Sequence, residues 1–202
     1  MPAGLEWRRA GAAVRSSEEA AIARRTVAVD IFTATHRVAG QVQAGAQGLF
    51  GFFNLPTESG VDVEEATLGP LYVPWDRAEK VGGLWMVKSE IALVAIGNRT
   101  ELGIVGTARG GYTKPFPYRI RILLGGYEVH GLVEWPGKLD FSGLILEANR
   151  LFVAAYEARI QALLFPQVVL DAPAVLFNGK MVMGISQLHR KETQPLGPPP
   201  EE

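Results

Sequence analysis

The chain has 202 residues, of which 48% are hydrophobic and 20% are charged, as in an ordinary globular protein with room for one large domain or two small ones. A formal net charge of −1 leaves no overall field that would draw the whole chain to nucleic acid or to a membrane surface. The absence of cysteine excludes disulfides, thiolate catalysis and thiolate zinc sites.

Residues 1–26 are predicted to form an N-terminal arm with one short helix. Ser16 and Ser17 are typical N-caps, Glu18 and Glu19 suit the first turn, and arginines follow at the other end. These acids stand where a signal peptide needs its apolar core, and no apolar run approaches about 20 residues. We therefore expect a cytoplasmic protein without a membrane segment. The arm is either a solvated helix packed on the first unit or a basic arm for RNA or a partner.

Residues 27–96 are predicted to form a first small β-barrel. Apolar residues alternate there in two neighbouring segments: Val27, Val29 and Ile31, then Val38, Gly40 and Val42. A period of two is typical of paired strands with one buried face. A glycine inside the second segment indicates a sharp bend or a close backbone approach, as in a small barrel.

Three phenylalanines, Phe50, Phe52 and Phe53, follow the first strand pair in a glycine-rich stretch. Aromatic side chains are more often buried than displayed, so this segment is expected to close the barrel as a core plug. The alternative is a partner-binding surface formed by the three rings. The sequence alone leaves both interpretations open.

A Gly/Pro-rich linker is predicted over residues 97–117, and the most basic stretch of the chain overlaps it at 99–121. Five cations stand there against Glu101 alone: Arg99, Arg109, Lys114, Arg119 and Arg121. Such a stretch is either a solvated surface or a weak contact for single-stranded nucleic acid. The turn residues Lys88, Asn178 and Lys180 are added to the nucleic-acid candidates.

Residues 118–190 are predicted to form a second small β-barrel. Ile120, Ile122 and Leu124 share one face, and the Gly125-Gly126 pair that follows suits a tight hairpin turn with positive φ angles. Residues 191–202 contain four prolines and are expected to be a disordered tail.

The two predicted barrels read as divergent copies of one unit, offset by about 91 residues. Residues 35–42 align with 126–133, which places Gly40 on Gly131, and Val29 falls on Ile120. A duplicated small unit points to a binding or assembly scaffold.

A search for catalytic patterns finds none. The three histidines, His36, His130 and His189, lack metal-ligand spacing, and no phosphate-binding loop or nucleophile elbow is present. We therefore predict no catalytic residue, no metal and no cofactor. A small-ligand pocket between the barrels, near Trp75, Trp85 and Trp135, remains as an alternative that would make the chain a ligand-binding protein or an enzyme.

The order of elements resembles the Sm-like (LSm) small β-barrel, present twice in tandem, as in a group of bacterial proteins that contain this barrel. Residues 120–133 are similar to the opening of the family's first motif, and residues 177–181 to its closing turn. The resemblance implies a mostly β protein of two tandem Sm/SH3-like barrels. It also implies RNA binding, although the family's Asp-x-x-x-Asn segment and closing-turn arginine have no counterpart here.

Three hypotheses follow for the function. The first is a non-enzymatic binding or assembly module that docks protein partners or forms a homo-oligomer through exposed strand edges. The second is a weak RNA or single-strand binder that uses the basic linker and the turn residues. The third is the ligand-binding protein or enzyme with a pocket between the barrels.

Overall fold

The computed structural model describes residues 25–105, 114–146 and 150–188. These residues contain two short α-helices, α1 (Gly48–Phe53) and α2 (Phe141–Leu146), and eleven strands. The strands are β1 (Arg25–Phe32), β2 (His36–Ala44), β3 (Gly60–Pro70), β4 (Glu79–Lys80), β5 (Gly83–Val87), β6 (Leu93–Ile96), β7 (Phe116–Leu124), β8 (Tyr127–Trp135), β9 (Phe152–Ala162), β10 (Val169–Asn178) and β11 (Val182–Gln187). The expected N-terminal helix, except Arg25, and the tail at 191–202 lie outside the described residues, while Arg25 and Thr26 belong to β1.

The strands form where apolar residues alternate along the chain. In β7, Ile120, Ile122 and Leu124 are fully buried, while the alternating residues Arg119 and Arg121 are exposed. The turn into β8 is the expected tight hairpin, because Gly125 and Gly126 adopt φ angles of 49° and 88°. Both angles lie in the left-handed region that glycine enters without a steric penalty.

All eleven strands belong to one antiparallel sheet. Its order is β11-β7-β8-β9-β10-β6-β1-β2-β3-β4, with β5 also paired to β3. β4 and β5 continue one register along β3, since Thr67 faces Lys80 and Val63 faces Leu84. They are therefore two pieces of a single interrupted edge strand.

The first half of the sheet (residues 25–96) and the second half (residues 116–187) share one strand order. In the first half it is β6-β1-β2-β3-β4/β5, and in the second it is β11-β7-β8-β9-β10. The registers also correspond: Val29 faces Gly40, and 91 positions later Ile120 faces Gly131. Between β2 and β3 and between β8 and β9, the register shifts at these two glycines.

Both halves bend at the same place. Glu65 in β3 and Glu157 in β9 have φ angles of 49° and 47°, the only non-glycine residues of the described chain with positive φ. Opposite these bends, Gly40 and Gly131 let the backbones approach closely. A Cβ on Gly40 would stand 2.8 Å from the Glu64 oxygen, and one on Gly131 would stand 3.0 Å from the Tyr156 oxygen. The expected glycine bend is present in both halves.

The prediction of a mostly β protein is confirmed, but the sheet is not closed into two separate barrels. β10 of the second half pairs with β6 of the first, which makes the sheet continuous. The two hydrophobic cores also exchange residues. The first core takes Phe152, Tyr156 and Leu176 from the second half, and the second core takes Phe32 and Leu93 from the first. The sequence pattern does not predict this pairing, because the free edge of a strand can pair with a strand of its own half or of the other half.

Candidate assembly interface

The contact between the halves, here called the seam, is the antiparallel pair of β6 and β10. Leu93 faces Phe177, Val94 faces Leu176, and Ala95 faces Val175. Leu93, Val94 and all three facing residues are fully buried, and Ala95 is 5% exposed. Side chains alternate between the cores, because Val175 and Phe177 enter the core of the second half while Leu176 enters that of the first. The seam is thus packed as a protein interior.

Two asparagines fasten one end of the seam, where Asn178 follows Phe177 on β10 and faces Phe152 on β9. The Asn54 amide nitrogen donates to the Phe152 carbonyl at 3.0 Å, and its oxygen accepts from the Phe152 N–H at 2.8 Å. Asn178, 1% exposed, donates to the Ile91 carbonyl at 3.0 Å and accepts from the Lys180 N–H at 3.0 Å. Both amides satisfy backbone groups of the opposite half or of the adjoining turn, so each costs little to bury.

A cation and a phenol add two further links between the halves. The Arg99 guanidinium lies 3.7 Å from the centre of the Tyr156 ring and donates to Glu134 at 2.6 Å. The buried Tyr127 hydroxyl donates to the Thr33 carbonyl, and burial raises the pKa of Tyr127 well above its ordinary value. Arg99, which follows β6, therefore covers part of the face that Glu134 of β8 and Tyr156 of β9 share.

The two ends of the sheet lack such a neighbour in the described chain. β5 pairs only with β3 and β11 only with β7, so each presents one row of unpaired backbone groups. Trp85 on β5 is 58% exposed and Met183 on β11 is 70% exposed. Trp85 is the counterpart of Leu176, which is fully buried in the seam. The ends therefore display residues at positions that the seam buries.

A groove of about 930 Å³ lies beside β5 on the face that Trp85 shares with β3. Its walls include Phe52, three acids and two glutamine side chains: Glu58, Asp62, Glu64, Gln43 and Gln47. The Trp85 indole lies directly over Gly60, where a Cβ would come within 2.2 Å of the ring. In the second half the corresponding face of β9 carries Phe152, Ala154 and Tyr156, and it is buried.

The predicted nucleic-acid residues do not form one surface. Lys88 is 2% exposed; its Nζ donates to the Phe52 carbonyl at 2.8 Å, and burial lowers the pKa of its ammonium despite Glu58 nearby. Asn178 is engaged inside the seam. Lys114, Arg119 and Lys180 are exposed, while Arg109 lies outside the described residues. The position of Lys88 and Asn178 in turns predicts exposed side chains. Their internal partners come from distant segments, which the local sequence does not indicate.

Arg121 belongs to a local charge cluster on the second half. Its guanidinium lies 2.8 Å from Glu128, whose other neighbour is the His130 ring at 2.6 Å. Burial alone would raise the pKa of the Glu128 carboxyl, but the hydrogen bonds from Arg121 and His130 outweigh it and hold the pKa below its ordinary value. Arg121 is thereby oriented along the sheet surface by its own half.

The three candidate phenylalanines of α1 mainly serve the core. Phe53 is 1% exposed and packs edge-on against Phe152 of the second half, with ring centres 5.3 Å apart. Phe50 is 6% exposed beneath Arg150. Phe52 is half-buried under the Lys88 ammonium and lines the groove, so among the three it contributes most to an accessible surface.

The three candidate tryptophans, Trp75, Trp85 and Trp135, occupy separate places. Trp85 lines the groove, and Trp135 is 8% exposed against Gly143. Trp75 stacks with Arg37 at 4.2 Å and lines a pocket of about 330 Å³ between residues 70–75 and residues 167–170. A small pocket between the halves therefore exists, and Trp75 is the one tryptophan that the described residues contribute to its wall.

Within the described ranges, no group of three or more His, Asp and Glu side chains is placed to hold a metal ion. Nor is any helix there long and apolar enough to cross a membrane. Comparison of the chain with protein-family models, with curated proteins and with solved structures found no match. The candidate site therefore stands on its geometry alone.

Proposed function

We propose that this protein is a non-enzymatic assembly module built from two Sm-like units in tandem, which self-associates by pairing β5 of one chain with β11 of another. The observation that carries the proposal is the seam. Within one chain, β10, the fourth strand of the second half, already pairs with β6, which is the fifth strand of the first half when β4 and β5 count as one. The same two strand positions are unpaired at the ends of the sheet.

The seam supplies the register of the proposed contact. Leu176 faces Val94 in the seam, and the corresponding end residues are Trp85, 91 positions before Leu176, and Ile185, 91 positions after Val94. We therefore propose that Trp85 of one chain faces Ile185 of a second copy. Because this contact joins two different surfaces, its repetition generates a closed ring when the rotation per chain permits.

The first test is the mass in solution. Multi-angle light scattering of the pure protein at tens of micromolar should give a multiple of the 21.9 kDa chain. Trp85→Glu should lower that mass, since it places a charge in the contact. Leu164→Glu is the matched control, because Leu164 is also exposed (77%) but lies in the connection between β9 and β10. A wild-type monomer would contradict the proposal.

The register is tested by disulfide trapping, which the absence of native cysteine makes clean. Chains carrying Trp85→Cys are mixed with chains carrying Ile185→Cys and oxidised. Facing residues of paired strands have the Cα separation that a disulfide needs. Trp85→Cys with Ser186→Cys is the control, because neighbouring strand residues point to opposite faces. Equal cross-linking of both pairs would contradict the proposed register.

A further inference from the structure

The groove beside β5 corresponds to a face of the second half that is covered by other residues of the same chain. On the second half, the face of β8 and β9 is covered by the residues that follow β6. Arg99 stands there between the Tyr156 ring and the Glu134 carboxylate, at 3.7 Å and 2.6 Å. Leu102, three residues later, is 1% exposed in the core that also contains Phe152 and Tyr156 of β9. On the first half, the same face is open and forms the groove.

The strand registers identify which residues correspond. Glu134 on β8 corresponds to Gln43 on β2, 91 positions earlier, and Tyr156 on β9 corresponds to Glu64 on β3, 92 positions earlier. The residues that follow β11 correspond to those that follow β6. Continuing the 91-residue offset beyond β11 aligns Arg190 with Arg99 in the sequence.

We propose that the basic segment His189-Arg190-Lys191 of a second copy binds in the acidic groove, with Arg190 paired to Glu64. The proposal rests on the proposed edge-to-edge assembly, and it names the second contact of that assembly. Where the second half offers an aromatic ring to Arg99, the first half offers a carboxylate at the same place.

Charge complementarity supports this occupant. Glu58, Asp62 and Glu64 line the groove, and the Glu64 carboxylate accepts a hydrogen bond only from Gln43, at 2.8 Å, among the contacts of the described residues. The segment after β11 carries two permanent cations and one histidine within three residues. Opposite charges in such an arrangement fix partner and register.

The position of the strands favours a second copy over the chain's own tail. β11 and β5 lie at opposite ends of the sheet. A segment that leaves β11 therefore starts at the other end of the strand order from the groove of its own chain, whereas the proposed pairing of β11 with β5 of a second copy brings it beside the groove of that copy.

The decisive experiment is a charge exchange measured by sedimentation equilibrium. Glu64→Arg alone and Arg190→Glu alone should each weaken self-association by about tenfold or more. The double variant, Glu64→Arg with Arg190→Glu, should recover to within about threefold of wild type, because the pair is restored with reversed signs. Asp76→Arg is the control for added positive charge, since Asp76 is an exposed acid outside the groove.

The outcomes separate this inference from the proposed function. If Trp85→Glu weakens association while neither charge reversal does, the edge pairing stands and the Arg190–Glu64 contact is overturned. If the double variant is as weak as the two single effects combined, the contact is likewise overturned.

A wild-type chain that stays monomeric would overturn the edge pairing, and a peptide then tests the groove by itself. A labelled peptide of residues 187–193 is titrated with the full-length protein and with its Glu64→Arg variant. Binding that Glu64→Arg weakens by about tenfold supports the groove as a receptor for this segment. Absence of binding to the wild type, or equal binding to both proteins, contradicts it.

Discussion

The seam and the two ends of the sheet are equivalent strand positions that differ in their neighbours. In β9 the residues from Phe152 to Tyr156 are all buried, because the second half presses one face on its own core and the other on the first half. In β3 the corresponding residues from Gly60 to Glu64 alternate, with Val61 and Val63 buried and Asp62 and Glu64 exposed. One strand is interior on both faces, whereas the other faces solvent on one.

Residues on neighbouring strands differ together between the seam and the end. At the seam Leu176 faces Ala154, and Phe152 lies two residues away on the same face of β9. At the end Trp85 faces Asp62 and its indole lies over Gly60, so a large ring on one strand is offset by a glycine on the next. The helices differ in the same sense. The last residue of α1, Phe53, is 1% exposed, while that of α2, Leu146, is 78% exposed. The ends thus retain apolar contact groups without the partner that covers them in the seam.

The largest difference in the free energy of unfolding is expected between Leu176→Asp in the seam and Trp85→Asp at the end. We expect Leu176→Asp to lower the free energy of unfolding by at least about 4 kcal/mol, since it removes buried apolar contacts and buries a carboxylate. Trp85→Asp should cost less than about 1 kcal/mol in dilute protein, because its side chain is exposed there. Urea denaturation of both variants decides the matter, and equal losses would mean that the seam is no better packed than the ends.

The bends give the next largest effect. A Cβ on Gly40 would stand 2.5 Å from Val63 Cγ1 and 2.8 Å from the Glu64 oxygen, whereas the nearest atom to one on Gly131 is 3.0 Å away. Gly131→Val should lower stability by about 1–3 kcal/mol, and Gly40→Val should lower it by more. Gly82→Ala is the control, since nothing lies within 4 Å of its Cβ position. A reversed order in thermal or chemical denaturation would contradict this account of the bends.

Asn178 tests the polar fastening of the seam. Asn178→Ala should lower the free energy of unfolding by about 2 kcal/mol, because the buried Ile91 carbonyl loses its donor and the Lys180 N–H loses its acceptor. Lys180→Ala, two residues away and exposed, should change stability by less than about 0.5 kcal/mol. Chemical denaturation of the pair measures the difference, and similar losses would place the importance of this turn elsewhere.

The sequence predicts much of the strand pattern but not the pairing of β6 with β10. Alternation in β7 and the Gly125-Gly126 turn predict the hairpin correctly, since both depend on neighbouring residues alone. A usable signal for the seam did exist. The unbroken apolar run over 152–156 is typical of a strand buried on both faces, whereas residues 60–64 alternate. That contrast distinguishes an interior strand from an edge.

The internal roles of Lys88 and Asn178 had no comparable signal. Each stands at a turn, where polar residues are usually solvated, and the partners Phe52 and Ile91 are set by the tertiary fold. The acidic groove was equally hidden, because Glu58, Asp62 and Glu64 read as the ordinary exposed face of a strand and its preceding loop. Such roles follow only from the positions of distant segments.

A smaller effect is expected from pH, through Glu128 in the second half. The pKa of its carboxyl is lowered in the folded state, so the ionised group stabilises the fold above the unfolded value near 4.5, and that stabilisation is lost as pH falls through the lowered folded pKa. Glu128→Gln should cost about 1–2 kcal/mol at pH 7. Denaturation series from pH 7 to pH 3 should show the difference from wild type shrinking below pH about 4.5; a constant difference would contradict the charge pairing.

The smallest expected effect concerns nucleic acid, and it separates exposed cations from internal ones. The chain carries a net charge of −1, so few phosphates can be neutralised at once and any single-strand binding should be weak, with a slope of log affinity against log salt of magnitude about 2–4. Replacing Arg109, Lys114, Arg119 and Arg121 together by alanine should abolish that binding.

Lys88→Met is the matched control for this titration, because the Lys88 ammonium is already bound to the Phe52 carbonyl and cannot neutralise a phosphate without leaving its site. The salt slope of this variant should equal that of wild type in a fluorescence titration with a labelled oligonucleotide. A slope that falls by about one unit would show that Lys88 reaches the backbone of the ligand. Tight binding by the wild type near physiological salt would make nucleic-acid recognition, rather than assembly, the leading function, since the edges alone supply no phosphate contacts.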